Sequence, residues 1–208
     1  MQVTVQGKLF PEKDQARKLN ELMRLQSSCM RYSYNRICEG KSKPEIEADL
    51  KENFSEINSR CRRGGYFRAK YNHESAKELS KADEFDSPEK VVFGGRKNLK
   101  KREQGEISNE EWKKLRNNQL YSRGDGSKHG NLNLRFVKQD GKLNLRVNVS
   151  NKEWIHVPTY LSREKERFLA GNKPYGVRII RYDGKYKPRS HSERSKSRRW
   201  VLERVLLA

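Results

Sequence analysis

The spacing of apolar residues divides the chain into a helical part and a strand-rich part. From about Glu12 to Glu39, apolar residues recur at three- and four-residue steps, which predicts a long amphipathic helix. From Asn131 to Phe136, and again from Leu143 to Val149, apolar and polar residues alternate. Asp140 and Gly141 lie between these two runs and are typical of a tight turn. The alternation therefore predicts a β-hairpin.

Further helices are predicted between the long helix and the hairpin. Pro44 begins one, which is expected to end near the pair Gly64-Gly65, and a short helix follows through Leu79. Ser108, with Glu111 three residues later, forms a capping box that predicts the start of another helix. The central part of the chain is thus expected to be helical.

The C-terminal half contains more strand signals. Strands are predicted there at Trp154 to Val157 and Tyr175 to Tyr182, with a short charged helix from Ser162 to Leu169 between them. Another strand, Gln2 to Phe10, opens the chain. Asp183-Gly184 repeats the turn signal, but Pro188 is expected to cut the return strand short. The loss of that strand would leave an exposed sheet edge.

These elements predict an α+β fold, in which a small antiparallel β-barrel is interrupted by a helical lobe. Residues 1–10 and 130–187 would form the barrel, and residues 11–129 would form the lobe. Residues 188–208 are expected to be a basic low-complexity tail, because Arg189 to Arg199 is rich in Ser and Arg.

Composition indicates a polyanionic partner. The 47 Lys and Arg residues outnumber the 27 acidic residues, giving a net charge of +20, and 36% of all residues are charged. Such a chain repels itself unless a polyanion neutralises it, and nucleic acid is the expected partner. A ribosome-like or membrane-surface basic protein is the alternative. No run approaches the roughly 18 apolar residues of a membrane span, and the N-terminus lacks a signal-peptide layout, so a cytoplasmic protein is expected.

The cysteines and histidines predict neither a disulfide framework nor a metal site. Cys29, Cys38 and Cys61 are separated by 9 and 23 residues, which fits no paired zinc-ligand pattern. We interpret them as reduced and structural, and we expect no cofactor.

The first segment with candidate chemistry runs from Arg60 to Asn72. It places cations and aromatic rings around a glycine pair that is expected to be flexible. A solvated helix end would explain the cations but does not require the rings, so we interpret the segment as a nucleic-acid contact. Its candidate binding residues are Arg60, Arg62, Arg63, Tyr66, Arg68, Lys70 and Tyr71.

Two later segments supply further candidates. The block from Val91 to Asn98 contains Gly94-Gly95 but lacks the spacing of a Walker motif. The run from Arg116 to Asn131 is predicted to be a long polar loop, rich in donors for phosphates and base edges. The candidate binding residues here and in the strand that follows are Arg96, Lys97, Asn98, Arg116, Asn117, Asn118, Tyr121, Arg123, Lys128, Asn131 and Arg135.

Three segments together resemble the TnpB (OrfB) family of insertion sequences, relatives of type V CRISPR effectors. They are Val3 to Pro11, the Val91 to Asn98 block with Ser108 to Trp112, and Arg116 to Arg135 continuing into the Asp140-Gly141 hairpin. The last is the most specific, because its Asn-Gln-Leu-Tyr-Ser-Arg-Gly-Asp order has no general structural reason to occur. The resemblance covers roughly residues 1–187.

The resemblance implies a wedge barrel and a recognition lobe that hold a guide RNA and read a short motif on double-stranded target DNA. In the family a RuvC-like nuclease domain follows, with three carboxylates that hold divalent metals, and then a zinc-ribbon element. Asp183 lies in a predicted turn rather than in the first catalytic strand, so no catalytic or metal-binding residue is assigned. The tail from Pro188 departs from the family pattern, as either a lost reading frame or a genuine RNA-binding tail.

The sequence therefore predicts a guide-RNA and target-DNA binding module without its own nuclease. A second polypeptide could carry the nuclease domain, which would make the chain one half of a split RNA-guided nuclease. The remaining alternative is a DNA-binding transcriptional regulator, or a decayed remnant, derived from such a protein. No membrane partner is expected.

Overall fold

The computed structural model describes residues 4–81, 91–124, 130–150, 152–171, 174–182 and 199–207. The chain divides into two compact units. Unit 1 contains Met1–Lys18 and Gln119–Ala208, and unit 2 contains Leu19–Asn118. The described residues form a mixed α and β structure whose strands pair antiparallel, which agrees with the predicted α+β class.

Unit 1 contains the sheet. Its strands are β1 (Thr4–Leu9), β2 (Gln119–Arg123), β3 (Leu134–Gln139), β4 (Lys142–Asn148), β5 (Trp154–Tyr160), β6 (Pro174–Tyr182) and β7 (Arg199–Leu207). They form a sheet of order β2-β6-β7-β1-β5-β4-β3. The described strands β2 and β3 are the two edges and do not pair with each other, so the sheet is open. The predicted small β-barrel is therefore wrong for the described part of the chain.

Strand β7 corrects the prediction that residues 188–208 are a basic low-complexity tail. It pairs with β1, with Leu9 opposite Trp200, and with β6, with Val177 opposite Val205. The apolar residues of β7 directly follow the Ser/Arg-rich run. Because that run dominates the composition of the segment, the sequence pattern did not indicate a strand there. A return strand therefore exists in the middle of the sheet. The predicted turn at Asp183-Gly184 and residues 183–198 lie outside the described residues.

The hairpin predicted around Asp140-Gly141 is confirmed. Strands β3 and β4 pair from Leu134 opposite Val147 to Gln139 opposite Lys142. Asp140 and Gly141 have φ angles of 50° and 73°, the left-handed pair that a two-residue type I′ turn requires. The predicted long loop before it is partly wrong, because β2 lies within that segment and pairs with β6.

Unit 2 is built from helices. Helix α1 (Lys13–Cys38) enters it from unit 1, and α2 (Lys43–Asn53), α3 (Ser59–Leu79), α4 (Arg96–Glu103) and α5 (Asn109–Arg116) follow, while α6 (Arg163–Gly171) belongs to unit 1. The predicted stripe of α1 is confirmed, since Leu19, Leu22, Met23, Met30 and Tyr34 are buried.

The glycine pair Gly64-Gly65 lies inside a helix, which corrects the prediction of a flexible break. Helix α3 begins after Asn58, whose side chain accepts a hydrogen bond from the backbone N–H of Cys61 at 2.9 Å. Both glycines are buried, and a Cβ atom at Gly65 would lie 3.0 Å from the Cβ of Cys29. Gly65 therefore allows α3 to pack closely against α1.

Candidate nucleic-acid interface

The outer face of α3 carries cations at helical spacing. Arg60, Arg63, Phe67 and Lys70 follow one another at three- or four-residue steps, so they lie along one side of the helix. Arg60, Arg63 and Lys70 are exposed, while Phe67 is half-buried. Arg63 forms an ion pair with Glu47 of α2 at 3.5 Å, and Lys70 forms one with Glu74 at 3.6 Å. We call this side of α3 the α3 surface.

Aromatic rings accompany these cations, as the sequence predicted. The Lys43 ammonium of α2 lies 5.5 Å from the centre of the Phe67 ring. The Arg68 guanidinium lies 5.3 Å from the centre of the Tyr71 ring, and Tyr71 is 59% exposed. A cation over a ring holds the ring in a defined orientation. Tyr71 thus presents an oriented aromatic side chain to solvent.

Two of the residues predicted for this segment face the protein instead. Arg62 is half-buried and donates hydrogen bonds to the backbone carbonyls of Phe54 at 3.0 Å and Ile57 at 2.6 Å. Tyr66 is buried in the core and its ring contacts Phe67 edge to face. Arg62 therefore stabilises the turn between α2 and α3. The ring of Tyr66 is too deeply buried for a base to stack on it.

Helix α4 is the most basic element of unit 2. Five of its eight residues are Lys or Arg, and it buries none of its residues. These cations are Arg96, Lys97, Lys100, Lys101 and Arg102, all exposed. Lys101 has an ion pair with Glu106 at a long 3.9 Å. The sequence prediction included the first two of these cations and missed the other three, which a helical reading of the same run would have added.

The segment before α4 anchors this helix rather than cradling a phosphate. The backbone N–H of Val91 donates to the Tyr34 hydroxyl at 2.9 Å, and the Phe93 ring contacts the Tyr34 ring edge to face. Gly94 has a φ of 97°, and a Cβ there would lie 2.8 Å from the Trp112 ring. The Asn98 side chain donates to the Gly94 carbonyl at 2.8 Å, so this predicted binding residue is engaged within the fold.

The end of α5 brings two arginines together. The capping box predicted at its start is confirmed, since Ser108 accepts from the backbone of Glu111 at 3.1 Å. At its other end, Arg31 of α1 donates to the carbonyl of Arg116 at 3.4 Å and to the Asn117 side chain at 2.9 Å. Burial, together with the neighbouring charge of Arg116, lowers the pKa of Arg31 to about 10. Arg116 also lies over Trp112, at 5.9 Å from the ring centre.

The remaining predicted residues lie in or beside the sheet of unit 1, except Asn118, which is half-buried at the end of unit 2. Tyr121 is half-buried in β2, and Arg123 is exposed at the end of that strand. Asn131 is buried, and its side chain oxygen accepts hydrogen bonds from the Ser122 hydroxyl and from the backbone, each at 3.0 Å. Asn131 therefore has a structural role. Lys128 lies outside the described residues.

The sequence prediction missed most of one face of the sheet. Arg135, which it included, is exposed on β3 directly opposite Arg146 of β4. Trp154 and Tyr160 of β5 lie on the same side, because residues of one strand that are an even number apart share a face. A strict reading of the alternation in β4 and β5 would have brought these side chains together.

Two of the three cysteines, Cys29 and Cys61, are buried in the fold. Burial raises the pKa of the Cys29 thiol to about 12 and that of the Cys61 thiol to about 11, so both keep their protons near neutral pH. No cluster of three or more His, Cys, Asp or Glu side chains that could hold a metal ion occurs in that part of the chain. Nor does any helix described here have the length and apolar character needed to cross a membrane.

Comparison with known families places the chain in one of them. A family model described as the SSO2105 N-terminal domain matches residues 2–186. The chain belongs to the SSO2105 N-terminal domain family. The match spans both units, and it ends before β7, so the SSO2105 N-terminal domain model covers the α3 surface, α4 and the other six strands. No curated protein matches the chain.

Proposed function

We propose that the chain is a nucleic-acid-binding module whose unit 2 grips the phosphate backbone through α4 and the α3 surface. The single observation that carries this proposal is the concentration of exposed cations on α4, which buries none of its residues. A helix of this kind contributes little to a core. Lys97, Lys100 and Arg102 are exposed, and Lys101 has only a long ion pair with Glu106 at 3.9 Å, so these four cations can bind a polyanion in solvent.

Cations of α4 lie close to one another along the helix surface. Arg96 and Lys100, and likewise Lys97 and Lys101, are four residues apart on the helix surface. Like charges at this spacing destabilise a helix by about 0.2–0.5 kcal/mol per pair. Phosphates along a nucleic-acid backbone would neutralise both pairs at once. Binding would thus reduce the repulsion between neighbouring cations of α4.

The α3 surface supports the same function. In its ion pairs, Arg63 with Glu47 and Lys70 with Glu74, the side chains of the two cations are 61% and 53% exposed. Exposed ion pairs contribute only about 0–1 kcal/mol, so exchanging a carboxylate for a phosphate costs little. Tyr71 adds a ring on which a base can stack. The surface therefore combines cations and an exposed aromatic side chain, as nucleic-acid sites do.

The resemblance to the TnpB family supports a narrower form of this proposal. In that form, unit 1 and unit 2 hold a guide RNA and contact double-stranded target DNA, while base pairing by the guide supplies the sequence specificity. A second polypeptide would supply the nuclease. Sequencing the RNA that co-purifies with the full chain tests this form, since a single defined RNA species is expected. A mixture that mirrors the total RNA of the cell would contradict it.

The salt dependence of binding tests the broader proposal. Affinity for a duplex should fall with salt, because each neutralised phosphate releases a counterion and contributes about −0.9 to the slope of log K against log salt. The double variant Lys97→Ala/Lys100→Ala should make that slope shallower by about 2. Fluorescence anisotropy of a labelled duplex at four or more salt concentrations measures it.

A matched control removes the same charge elsewhere. Arg17 and Arg24 lie on α1 and each pairs with an acidic residue three positions earlier, so Arg17→Ala/Arg24→Ala also removes two cations. This variant should leave the slope unchanged. A slope near zero for the wild-type chain would refute nucleic-acid binding as a whole. Equal losses in both variants would instead refute the assignment to α4.

A further inference from the structure

The outward side of strands β3, β4, β5 and β1 carries basic and aromatic side chains, which a solvent-facing sheet does not require. In β5, Ile155 and Val157 are buried, while His156, Pro158 and Tyr160 between and after them are exposed. Alternate residues of a strand point to opposite faces, so one side packs on the core and the other is open to solvent. We call this open side the outer sheet face.

A row of basic side chains crosses the outer sheet face. Arg135 of β3 lies opposite Arg146 of β4, which in turn lies opposite His156 of β5. Directly opposed residues on neighbouring strands have Cβ atoms about 4.5–5.5 Å apart, and like charges at this position destabilise the sheet. The Arg135–Arg146 pair is therefore unfavourable in the free protein. An anion lying across these strands would relieve the repulsion.

Aromatic side chains flank that row. Tyr160 is 65% exposed and lies opposite Lys8 of β1, and Phe10 is 57% exposed. The backbone N–H of Phe10 donates to the Pro158 carbonyl at 2.9 Å, which extends the β1–β5 pairing and keeps Phe10 beside β5. On the other side of the row, the Arg146 guanidinium lies 4.2 Å from the centre of the Trp154 ring.

The charge of the outer sheet face has one sign. Its charged positions in the four strands are Lys8, Arg135, Lys142 and Arg146, and no aspartate or glutamate occupies an outward position of those described strands. The side-chain Nε of Arg146 is buried and has no hydrogen-bond partner in the described structure. Exposed rings beside unneutralised arginines on a sheet form a stacking surface with charge complementarity to a nucleic-acid strand.

We infer that the outer sheet face binds an unpaired nucleic-acid strand. Bases stack on the exposed rings of Phe10 and Tyr160, while Arg135 and Arg146, the latter packed on Trp154, neutralise the neighbouring phosphates. A duplex does not fit this role, because its bases are already stacked on one another and do not present their faces. A four-stranded sheet face accommodates about two or three stacked bases in other RNA-binding folds. The inference rests on the proposed nucleic-acid binding. It adds a second site, in unit 1, which binds an unpaired strand rather than a duplex.

The test compares an unpaired strand with a duplex on the full chain. Tyr160→Ala and Phe10→Ala should each weaken binding of a short oligouridine by about 5- to 150-fold, the range for losing one stacked base. Tyr160→Phe keeps the ring and should bind like the wild-type chain. Duplex affinity should stay unchanged in all three variants. Because both rings are largely exposed, their removal leaves the core intact.

A spectroscopic readout identifies the contact itself. Oligouridine should quench part of the tryptophan fluorescence of the wild-type chain, and Trp154→Phe should abolish that quenching. A parallel titration with oligothymidine distinguishes RNA from DNA as the source of the strand. Quenching and affinity that are unaffected by all of these variants would overturn the inference while leaving the proposed function standing. If the wild-type chain binds no nucleic acid at all, both the inference and the proposed function are overturned.

Discussion

Replacing two neighbouring arginines of α3 with alanine should have different effects: Arg62→Ala should lower stability, and Arg63→Ala should weaken binding. Arg62→Ala removes a half-buried guanidinium that donates to the carbonyls of Phe54 and Ile57 at 3.0 and 2.6 Å. Arg63→Ala removes a guanidinium whose side chain is 61% exposed and whose ion pair is with Glu47. The two substitutions delete the same chemical group one residue apart, so any difference in outcome reflects position alone.

The expected magnitudes follow from these contacts. A hydrogen bond from a charged donor contributes about 1.5–3 kcal/mol, and partial exposure allows water to replace some of that at each carbonyl. Arg62→Ala should therefore lower the free energy of unfolding by about 2–3 kcal/mol. For a chain of this size, that corresponds to a fall in Tm of about 4–12 °C. Arg63→Ala should change the free energy of unfolding by less than about 0.5 kcal/mol, as surface substitutions usually do.

Urea unfolding followed by circular dichroism measures stability, and anisotropy of a labelled duplex measures affinity on samples checked to be folded. Arg62→Ala should show a lower urea midpoint with an unchanged affinity per folded molecule. Arg63→Ala should show the reverse pattern, with an unchanged midpoint and weaker, less salt-dependent binding. If Arg62→Ala leaves stability intact and abolishes binding, the assignment of Arg62 to the turn is wrong, and with it the division of α3 into an inner and an outer side.

Three further outcomes are expected. In the native chain a thiol reagent at pH 8 should modify only Cys38, and all three cysteines should react in urea. Burial raises the pKa of the Cys61 thiol from 9.0 to about 11 and that of the Cys29 thiol to about 12. The stability that these two protonated thiols contribute is therefore complete below pH 9 and is lost as the pH rises towards 12. Gly94→Ala should lower Tm more than Gly105→Ala, since both glycines have positive φ but only a Cβ at position 94 meets Trp112. Asn131→Ala should cost about 2–4 kcal/mol in urea unfolding, because its buried side chain joins four hydrogen bonds; a loss below 0.5 kcal/mol would contradict that role.

Local patterns predicted the elements whose signals lie within a few residues. The three- and four-residue period gave α1, the Asp140-Gly141 turn between alternating runs gave the β3–β4 hairpin, and Ser108 with Glu111 gave the start of α5. Each of these depends on contacts inside one element or one turn. Their physics is therefore visible in a short window of sequence.

The errors occurred where a distant residue decides the structure. The pair Gly64-Gly65 is equally consistent with a helix end and with a close helix contact, and only the position of Cys29 on another helix settles the choice. Likewise, Tyr66 and Arg62 lie in a basic run, yet the helical rotation of α3 directs them inwards while their neighbours point to solvent. Charge density located the basic segments but could not assign the direction of each side chain.

The open sheet was unpredictable for the same reason. Closure into a barrel depends on whether the edge strands β2 and β3 meet, and no local pattern in either strand specifies its partner. The position of β7 beside β1 depends on residues nearly the whole chain apart, such as Leu9 and Trp200. The nucleic-acid interface itself stays a prediction, supported by the placement of its cations and rings.

The central place of β7 determines the order in which unit 1 can fold. Strands β2 and β6 pair with each other, and strands β1, β5, β4 and β3 form a second group, but among the described strands β7 alone joins the two groups. During synthesis β7 is the last of them to leave the ribosome. Until then the facing edges of β1 and β6 are unpaired, which makes nascent chains prone to aggregation or to capture by a chaperone. A ribosome stall before residue 199 should therefore leave the helices of unit 2 folded and the sheet in two unjoined halves.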